Sequence, residues 1–136
     1  MKIRNLYLGA GVVAFCATPA FADHYDDEEE IEWEEAYVFF ELNNTDGDLG
    51  IHAKIDGDAW KRLAIEDTNE RRILGVNVRG RLRRQGLTEI FFESAEPPFD
   101  ELAPETFFKR FPEGIYEVEG VSLDGLEIES EAEVTH

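Results

Sequence analysis

The 136-residue chain carries 31 acidic and 13 basic residues, which gives a formal net charge of −18 at pH 7. So large an excess of acids excludes nonspecific nucleic-acid binding, because the chain repels the phosphate backbone. Cys16 is the only cysteine, so a structural disulfide is excluded. Stability must therefore come from an apolar core, a bound ion or a partner.

The first 22 residues have the pattern of a secretory signal peptide. Lys2 and Arg4 supply the positive start, an apolar stretch covers 6–17, and Ala20-Phe21-Ala22 forms a small-x-small cleavage site. The pattern predicts an exported protein, periplasmic or extracellular after cleavage near Ala22. The apolar stretch is shorter than the roughly 20 residues that span a bilayer, so we expect no integral membrane segment in the mature chain.

Charge is segregated into three blocks along the chain. Asp23–Glu35 holds nine acids and no base, Lys61–Arg84 holds eight bases, and Glu113–Glu133 holds eight acids and no base. Because the first block repels itself at neutral pH, 23–35 is expected to be a disordered acidic lead-in, with Trp33 marking where order begins. A single domain is then expected over 36–136.

From Ala36 onward, short alternating runs separated by turn residues predict β-strands, and one of the predicted turns is Asp56-Gly57-Asp58. We expect strands at Tyr37–Leu42, Ile51–Ile55, Trp60–Glu66, Ile73–Val78, Leu87–Glu93, Ile115–Ser122 and Leu126–Val134. Pro104 suits the first turn of a short helix that ends near Phe111. These elements predict a mainly β fold, an antiparallel β-sandwich of about seven strands with one short helix.

Adjacent phenylalanines on two strands, Phe39-Phe40 and Phe91-Phe92, indicate that both faces of the sheet are covered, because neighbours on a strand point to opposite faces. A second sheet would cover one face. The helix would cover the other, because Phe107, Phe108 and Phe111 share one of its sides. The alternative is an exposed row of phenylalanines that binds a partner.

Oxygen donors and glycines are concentrated over 43–50, and calcium prefers such hard oxygen ligands. If the first four strands simply alternate up and down, the turn over 67–70 falls at the same end of the sheet. The candidate calcium ligands are therefore Asn43, Asp46, Asp48, Asp67 and Asn69. The alternative is that these residues only build tight turns, because Asp, Asn and Gly tolerate positive φ.

Six arginines of the cationic block form a candidate anion-binding site, because guanidinium groups pair well with carboxylates and phosphates. They are Arg71, Arg72, Arg79, Arg81, Arg83 and Arg84. The expected partner is an anionic glycan or an acidic protein. The alternative is that the acidic blocks, including the lead-in, neutralise these arginines internally.

The mature sequence offers little catalytic chemistry. A Ser-His-Asp triad needs a fixed base, and the histidines are His24 in the lead-in, His52 on a strand, where we expect it to point outward, and His136 at the last position. Glu89 and Glu93 could serve a small carboxylate-based hydrolase, but four residues of strand separate them by about 13 Å, more than glycosidases use. We therefore expect no enzymatic activity and assign no catalytic residue.

The run Phe39–Gly50, with Asp56–Trp60 and Glu93–Pro97, resembles a group of uncharacterised exported bacterial proteins, some of which carry a fibronectin type III-like module later in the chain. The resemblance implies no catalytic or binding residue. Composition and motifs predict an exported, non-enzymatic binding or structural module, with calcium as a candidate stabilising ion. Arginine-mediated recognition of an anionic partner and a small hydrolase are the alternatives.

Overall fold

The computed structural model describes residues 31–135, which form six strands and two short helices. The strands are β1 (Glu35–Asn43), β2 (Asp48–Glu66), β3 (Arg72–Asn77), β4 (Leu87–Glu93), β5 (Gly114–Ser122) and β6 (Glu127–Val134). The helices are α1 (Leu82–Gln85), which follows β3, and α2 (Pro104–Arg110), which follows β4. The mainly β, antiparallel class expected from the sequence is confirmed. The predicted signal peptide and residues 23–30 of the lead-in lie outside the described residues.

β2 is the centre of the sheet, because every other strand except β6 pairs with it. Along one edge of β2, β4 pairs with the first part of the strand and β3 with the last part. Along the other edge, β1 pairs with the first part and β5 with the last part. Trp60 shows this arrangement directly, since it pairs with Leu87 of β4 on one side and with Ser122 of β5 on the other. β6 extends the sheet beyond β5.

The turn predicted at Asp56-Gly57-Asp58 is wrong, because β2 continues through this segment as one strand of 19 residues. Its pairing register shifts between Asp56 and Trp60 on the β4 edge, and again just after Trp60 on the β5 edge. Such bulges bend a strand and increase its twist. Gly57 fits the bend because a Cβ there would lie only 3.0 Å from the Trp33 ring. The described residues thus form one bent sheet of six strands, where a sandwich of about seven strands was expected, and the sandwich is not confirmed.

The apolar core begins ahead of β1. Trp33 is buried, meets Trp60 edge to face with ring centroids 6.2 Å apart, and donates its indole N–H to the carbonyl oxygen of Val118. The backbone of Ile31 both donates a hydrogen bond to β6 and accepts one from it. The folded unit therefore includes Ile31 and Trp33, and it begins before the boundary expected at Ala36.

β5 and β6 alternate core residues with outward glutamates. Tyr116, on the inner side of β5, is fully buried. On the outer side, Glu117 lies directly opposite Glu131, and Glu119 lies directly opposite Glu129. Like charges in opposed positions destabilise a sheet, so the inner face of this hairpin must stabilise it.

α2 covers one face of the sheet, as the phenylalanine spacing predicts. Phe107 is buried, and the rings of Phe107 and Phe108 each meet Phe40 of β1 at a centroid distance of 5.5 Å. Phe111 packs on Phe107 with centroids 5.0 Å apart. Within residues 31–135, neither helix has the length and apolar character needed to cross a membrane.

Candidate functional site

The structure separates the residues predicted as calcium ligands. Asp46 lies in the turn before β2 and Asp48 is the first residue of this strand, whereas Asp67 and Asn69 lie in the turn that follows its 19 residues. The expected grouping depended on a turn inside β2, and β2 is continuous. The fold therefore does not bring these two pairs of residues into one site.

The turn over 43–48 is held by its own polar groups. The side-chain oxygen of Asn43 accepts hydrogen bonds from the backbone N–H groups of Thr45 and Asp46, and its amide donates to Asp46 Oδ2 at 2.7 Å. These contacts are typical of an Asx turn. Asp48 Oδ1 is buried and has no hydrogen-bond partner among residues 31–135. Calcium binding here stays a prediction, because hydrogen bonds within the turn neither support nor contradict it.

Asp67 organises the turn between β2 and β3. Its side chain is 1% exposed, and its Oδ2 accepts two hydrogen bonds from the Arg71 guanidinium, at 3.0 and 2.7 Å. Its Oδ1 accepts the backbone N–H groups of Asn69 and Arg71. Burial by itself raises the pKa of Asp67, but these donors outweigh burial and hold the pKa below its ordinary value of 3.8.

The six candidate anion-binding arginines fall into two groups. Arg71 and Arg72 form ion pairs with Asp67 and Glu66, at 2.7 and 2.8 Å, so they stabilise the region where β2 turns into β3. The other four lie in residues 79–85, between β3 and β4, which we call the arginine loop. Its arginines are Arg79, Arg81, Arg83 and Arg84.

The arginine loop is exposed along its whole length, and its helix α1 buries no side chain. The ion pairs formed within residues 31–135 include no guanidinium of the loop. Leu82 adds an apolar side chain that is 51% exposed. Four cations are therefore concentrated on one exposed segment of an otherwise anionic protein.

A second polar cluster, which the sequence did not predict, surrounds His52. This side chain lies on the outer face of β2, as expected, but it is only 5% exposed because neighbouring side chains cover it. Its Nε2 lies 3.0 Å from Glu96 Oε1 and 3.5 Å from Glu41 Oε2. All three potential ligand atoms lie within 4.8 Å of one another. We call these three residues the His–Glu cluster.

Glu96 reaches this cluster because the chain stays against β2 after β4 ends. Ser94 exchanges hydrogen bonds with the backbone of Ile51, its backbone N–H donating to the carbonyl and its hydroxyl accepting the N–H. The Glu96 side chain then crosses Gly50, where an added Cβ would lie 2.5 Å from Oε1. Gly50 thus leaves the space through which Glu96 approaches His52.

Aromatic rings enclose the imidazole of His52 on two sides. Phe39, its cross-strand neighbour on β1, stacks on it with centroids 5.3 Å apart and planes 30° apart. Phe91 of β4 meets it edge-on at 6.3 Å. Phe39 and Phe91 are 41% and 58% exposed, so an apolar rim surrounds the cluster.

Three serine hydroxyls that could in principle act as nucleophiles are hydrogen-bonded to the backbone. Those of Ser94, Ser122 and Ser130 accept backbone N–H groups of Ile51, Leu126 and Trp33. The hydrolase candidates Glu89 and Glu93 are exposed and lie opposite different residues of β2, Asp56 and His52. Neither arrangement places a nucleophile beside a general base.

Comparison with family models, with curated proteins and with solved structures finds no match for this chain. The resemblance to exported bacterial proteins therefore stays a prediction. The fold and side chains describe a mainly β protein with two separate polar features, the arginine loop and the His–Glu cluster.

Proposed function

We propose that this chain is an exported, non-enzymatic binding protein whose arginine loop engages carboxylate or sulfate groups of an anionic partner. The observation that carries the proposal is that four arginines of the loop are exposed and form no ion pair within residues 31–135. Guanidinium groups present several N–H donors in a planar fork that matches carboxylate and related oxyanions.

The contrast with the paired arginines supports a role outside the fold. Arg71 and Arg72 lie at the end of the turn between β2 and β3, and each has a carboxylate oxygen within 2.8 Å of its guanidinium. The loop cations have no such partner and repel one another, so their clustering does not stabilise the described domain. An external anion would relieve that repulsion and satisfy the guanidinium donors.

The charge of the whole chain restricts where an anion can bind. With a formal net charge of −18, most of the surface repels an anionic polymer. That repulsion is screened beyond about 8–10 Å at physiological salt, so a local cationic segment can still act at contact distance. We therefore expect retention on an anionic matrix to depend on the arginine loop alone.

Replacing all four loop arginines by serine should weaken binding to a sulfated polysaccharide matrix. Each exposed ion pair contributes up to about 1 kcal/mol. Four such contacts, each near the middle of that range, sum to about 2 kcal/mol, and because about 1.4 kcal/mol is tenfold, we expect a loss of affinity of more than about tenfold. The measurement is the salt concentration that elutes the protein, checked by a binding isotherm with the soluble polysaccharide.

A pair of double variants provides the matched control. Arg83→Ser with Arg84→Ser removes two loop cations, whereas Lys109→Ser with Arg110→Ser removes two exposed cations from α2. Only the loop variant should elute earlier, and equal elution of the two would contradict the proposal. A polyglutamate matrix run in parallel distinguishes an acidic polypeptide from a sulfated sugar as the preferred partner.

A further inference from the structure

We infer that the His–Glu cluster (Glu41, His52 and Glu96) is a binding site for a divalent transition-metal ion of the zinc class. The site is separate from the arginine loop and does not depend on the anion-binding proposal. It would use the Nε2 atom of His52 and one carboxylate oxygen from each glutamate, the atoms that already lie within 4.8 Å of one another.

The distances between these atoms suit a tetrahedral ion. Zinc bonds to histidine nitrogen and carboxylate oxygen are about 2.0–2.2 Å long, so neighbouring ligand atoms of a tetrahedral site are about 3.3–3.6 Å apart. From His52 Nε2, the distances to Glu96 Oε1 and Glu41 Oε2 are 3.0 and 3.5 Å. The distance to Glu41 lies within the tetrahedral spacing and the distance to Glu96 is slightly shorter, so an ion could enter with small side-chain adjustments.

The donor set selects the class of metal. Calcium and magnesium favour sites built from oxygen ligands alone, whereas an imidazole nitrogen suits zinc, copper, nickel and iron. One nitrogen with two carboxylate oxygens therefore favours a first-row transition metal. This chemistry also distinguishes the cluster from the turn over 43–48, whose candidate ligands are oxygen atoms.

The surrounding structure fixes two of the three ligands before a metal binds. The imidazole of His52 is 5% exposed and lies between Phe39 and Phe91. Glu96 is 23% exposed and is guided to His52 across Gly50. Ligands that are already oriented lose less freedom on binding, and neighbouring groups that orient ligands affect metal affinity strongly.

The third ligand leaves a path for the ion. The Glu41 side chain is 56% exposed and lies at the edge of the cluster. Three protein ligands are one fewer than a tetrahedral ion needs, which leaves a fourth position for solvent or an external group. The acidic surface of the chain would raise the local concentration of cations near this opening.

A protonated imidazole paired with two carboxylates would give the same short contacts, so the test must detect the metal itself. The purified full chain, first treated with chelator and then desalted, would be titrated with Co²⁺ and with Zn²⁺. We expect the visible absorption of a low-symmetry Co²⁺ site, loss of that absorption on adding Zn²⁺, and a zinc-dependent rise in melting temperature. Calcium at the same concentration should give no comparable rise.

Two variants locate the ion, and one serves as control. Glu41→Gln removes an exposed ligand and should weaken zinc binding at least about tenfold, since even indirect supporting groups change metal affinity by about that much. Gly50→Ala should also weaken it, because the new Cβ displaces the flexible Glu96 side chain. Glu93→Gln is the control, because Glu93 lies opposite His52 on β4 and is exposed but outside the cluster.

The outcomes are decisive because Glu41 and Glu93 are both surface glutamates on strands beside His52. Loss of cobalt absorption in Glu41→Gln but not in Glu93→Gln supports the site. Absence of a cobalt spectrum in the unmodified protein overturns it. Equal zinc affinity in all variants also overturns it, because the ion would then be bound elsewhere, for example by His24 or His136.

Discussion

The Gly120→Ala variant is expected to lose about 3 kcal/mol of unfolding free energy, or to fail to fold. A Cβ at this position would lie 2.3 Å from Cζ2 and 2.9 Å from Cη2 of Trp33. The indole ring has little room to move, because it packs on Trp60 and its N–H is bonded to Val118. For a domain of this size, the loss corresponds to a melting temperature lower by about 12–24 °C, measurable by circular dichroism.

Two further variants distinguish the steric overlap between a Cβ at position 120 and the Trp33 ring from a general effect of adding a methyl group. Gly75→Ala also adds a Cβ to a strand, but its nearest neighbour would be Arg72 Cδ at 3.6 Å, so stability should change little. In a Trp33→Leu background the two ring atoms are gone, and the additional cost of Gly120→Ala should fall. Similar melting temperatures for Gly120→Ala and Gly75→Ala would contradict the overlap, as would full additivity with Trp33→Leu.

The Asp67→Asn variant is expected to be less stable than the unmodified protein by about 1.5–3 kcal/mol at neutral pH, because the charged hydrogen bonds to Arg71 are lost. The pKa of Asp67 is lower in the folded protein than its ordinary value of 3.8. Its stabilising contribution is therefore complete above about pH 4 and is lost as the pH falls through the folded-state pKa. The stability difference between the two proteins should shrink accordingly in acid.

Urea unfolding at several pH values from neutral to about pH 2.5 measures this difference in stability. The other carboxylates are present in both proteins, so their response to acid cancels when the two are compared. Asp124→Asn is the matched control, because Asp124 is an exposed aspartate in the turn between β5 and β6. Its substitution should leave stability nearly unchanged. A difference between the unmodified protein and Asp67→Asn that stays constant into acid would show that the ion pair is not responsible.

Local sequence patterns predicted most strands because one side of each strand is apolar. β4 was predicted with its observed ends, and α2 followed from Pro104 and the spacing of three phenylalanines. β2 was misjudged because Asp56-Gly57-Asp58 has the composition of a turn. Only the tertiary contact between Gly57 and Trp33 shows that this glycine instead allows a buried strand to bend. α1 has no buried residue and so gave no periodic signal.

The two polar features differ in how far the sequence revealed them. The six arginines are evident from the sequence alone. Which of them form ion pairs depends on whether the fold places a carboxylate nearby, as it places Asp67 beside Arg71. The His–Glu cluster was missed because its members are far apart in the chain. Glu41 comes beside His52 through the register of β1 and β2, and Glu96 through a segment without regular structure. A correct register for β2 would have indicated Glu41 alone.

The continuity of β2 has a consequence for how the protein unfolds. Four strands pair with β2, and Trp60 of β2 is paired with a strand on each side. Separating either half of the sheet would therefore expose the backbone and apolar side chains of the other half. We expect the domain to open as one cooperative unit, in which amide hydrogens along β2 exchange only through global unfolding.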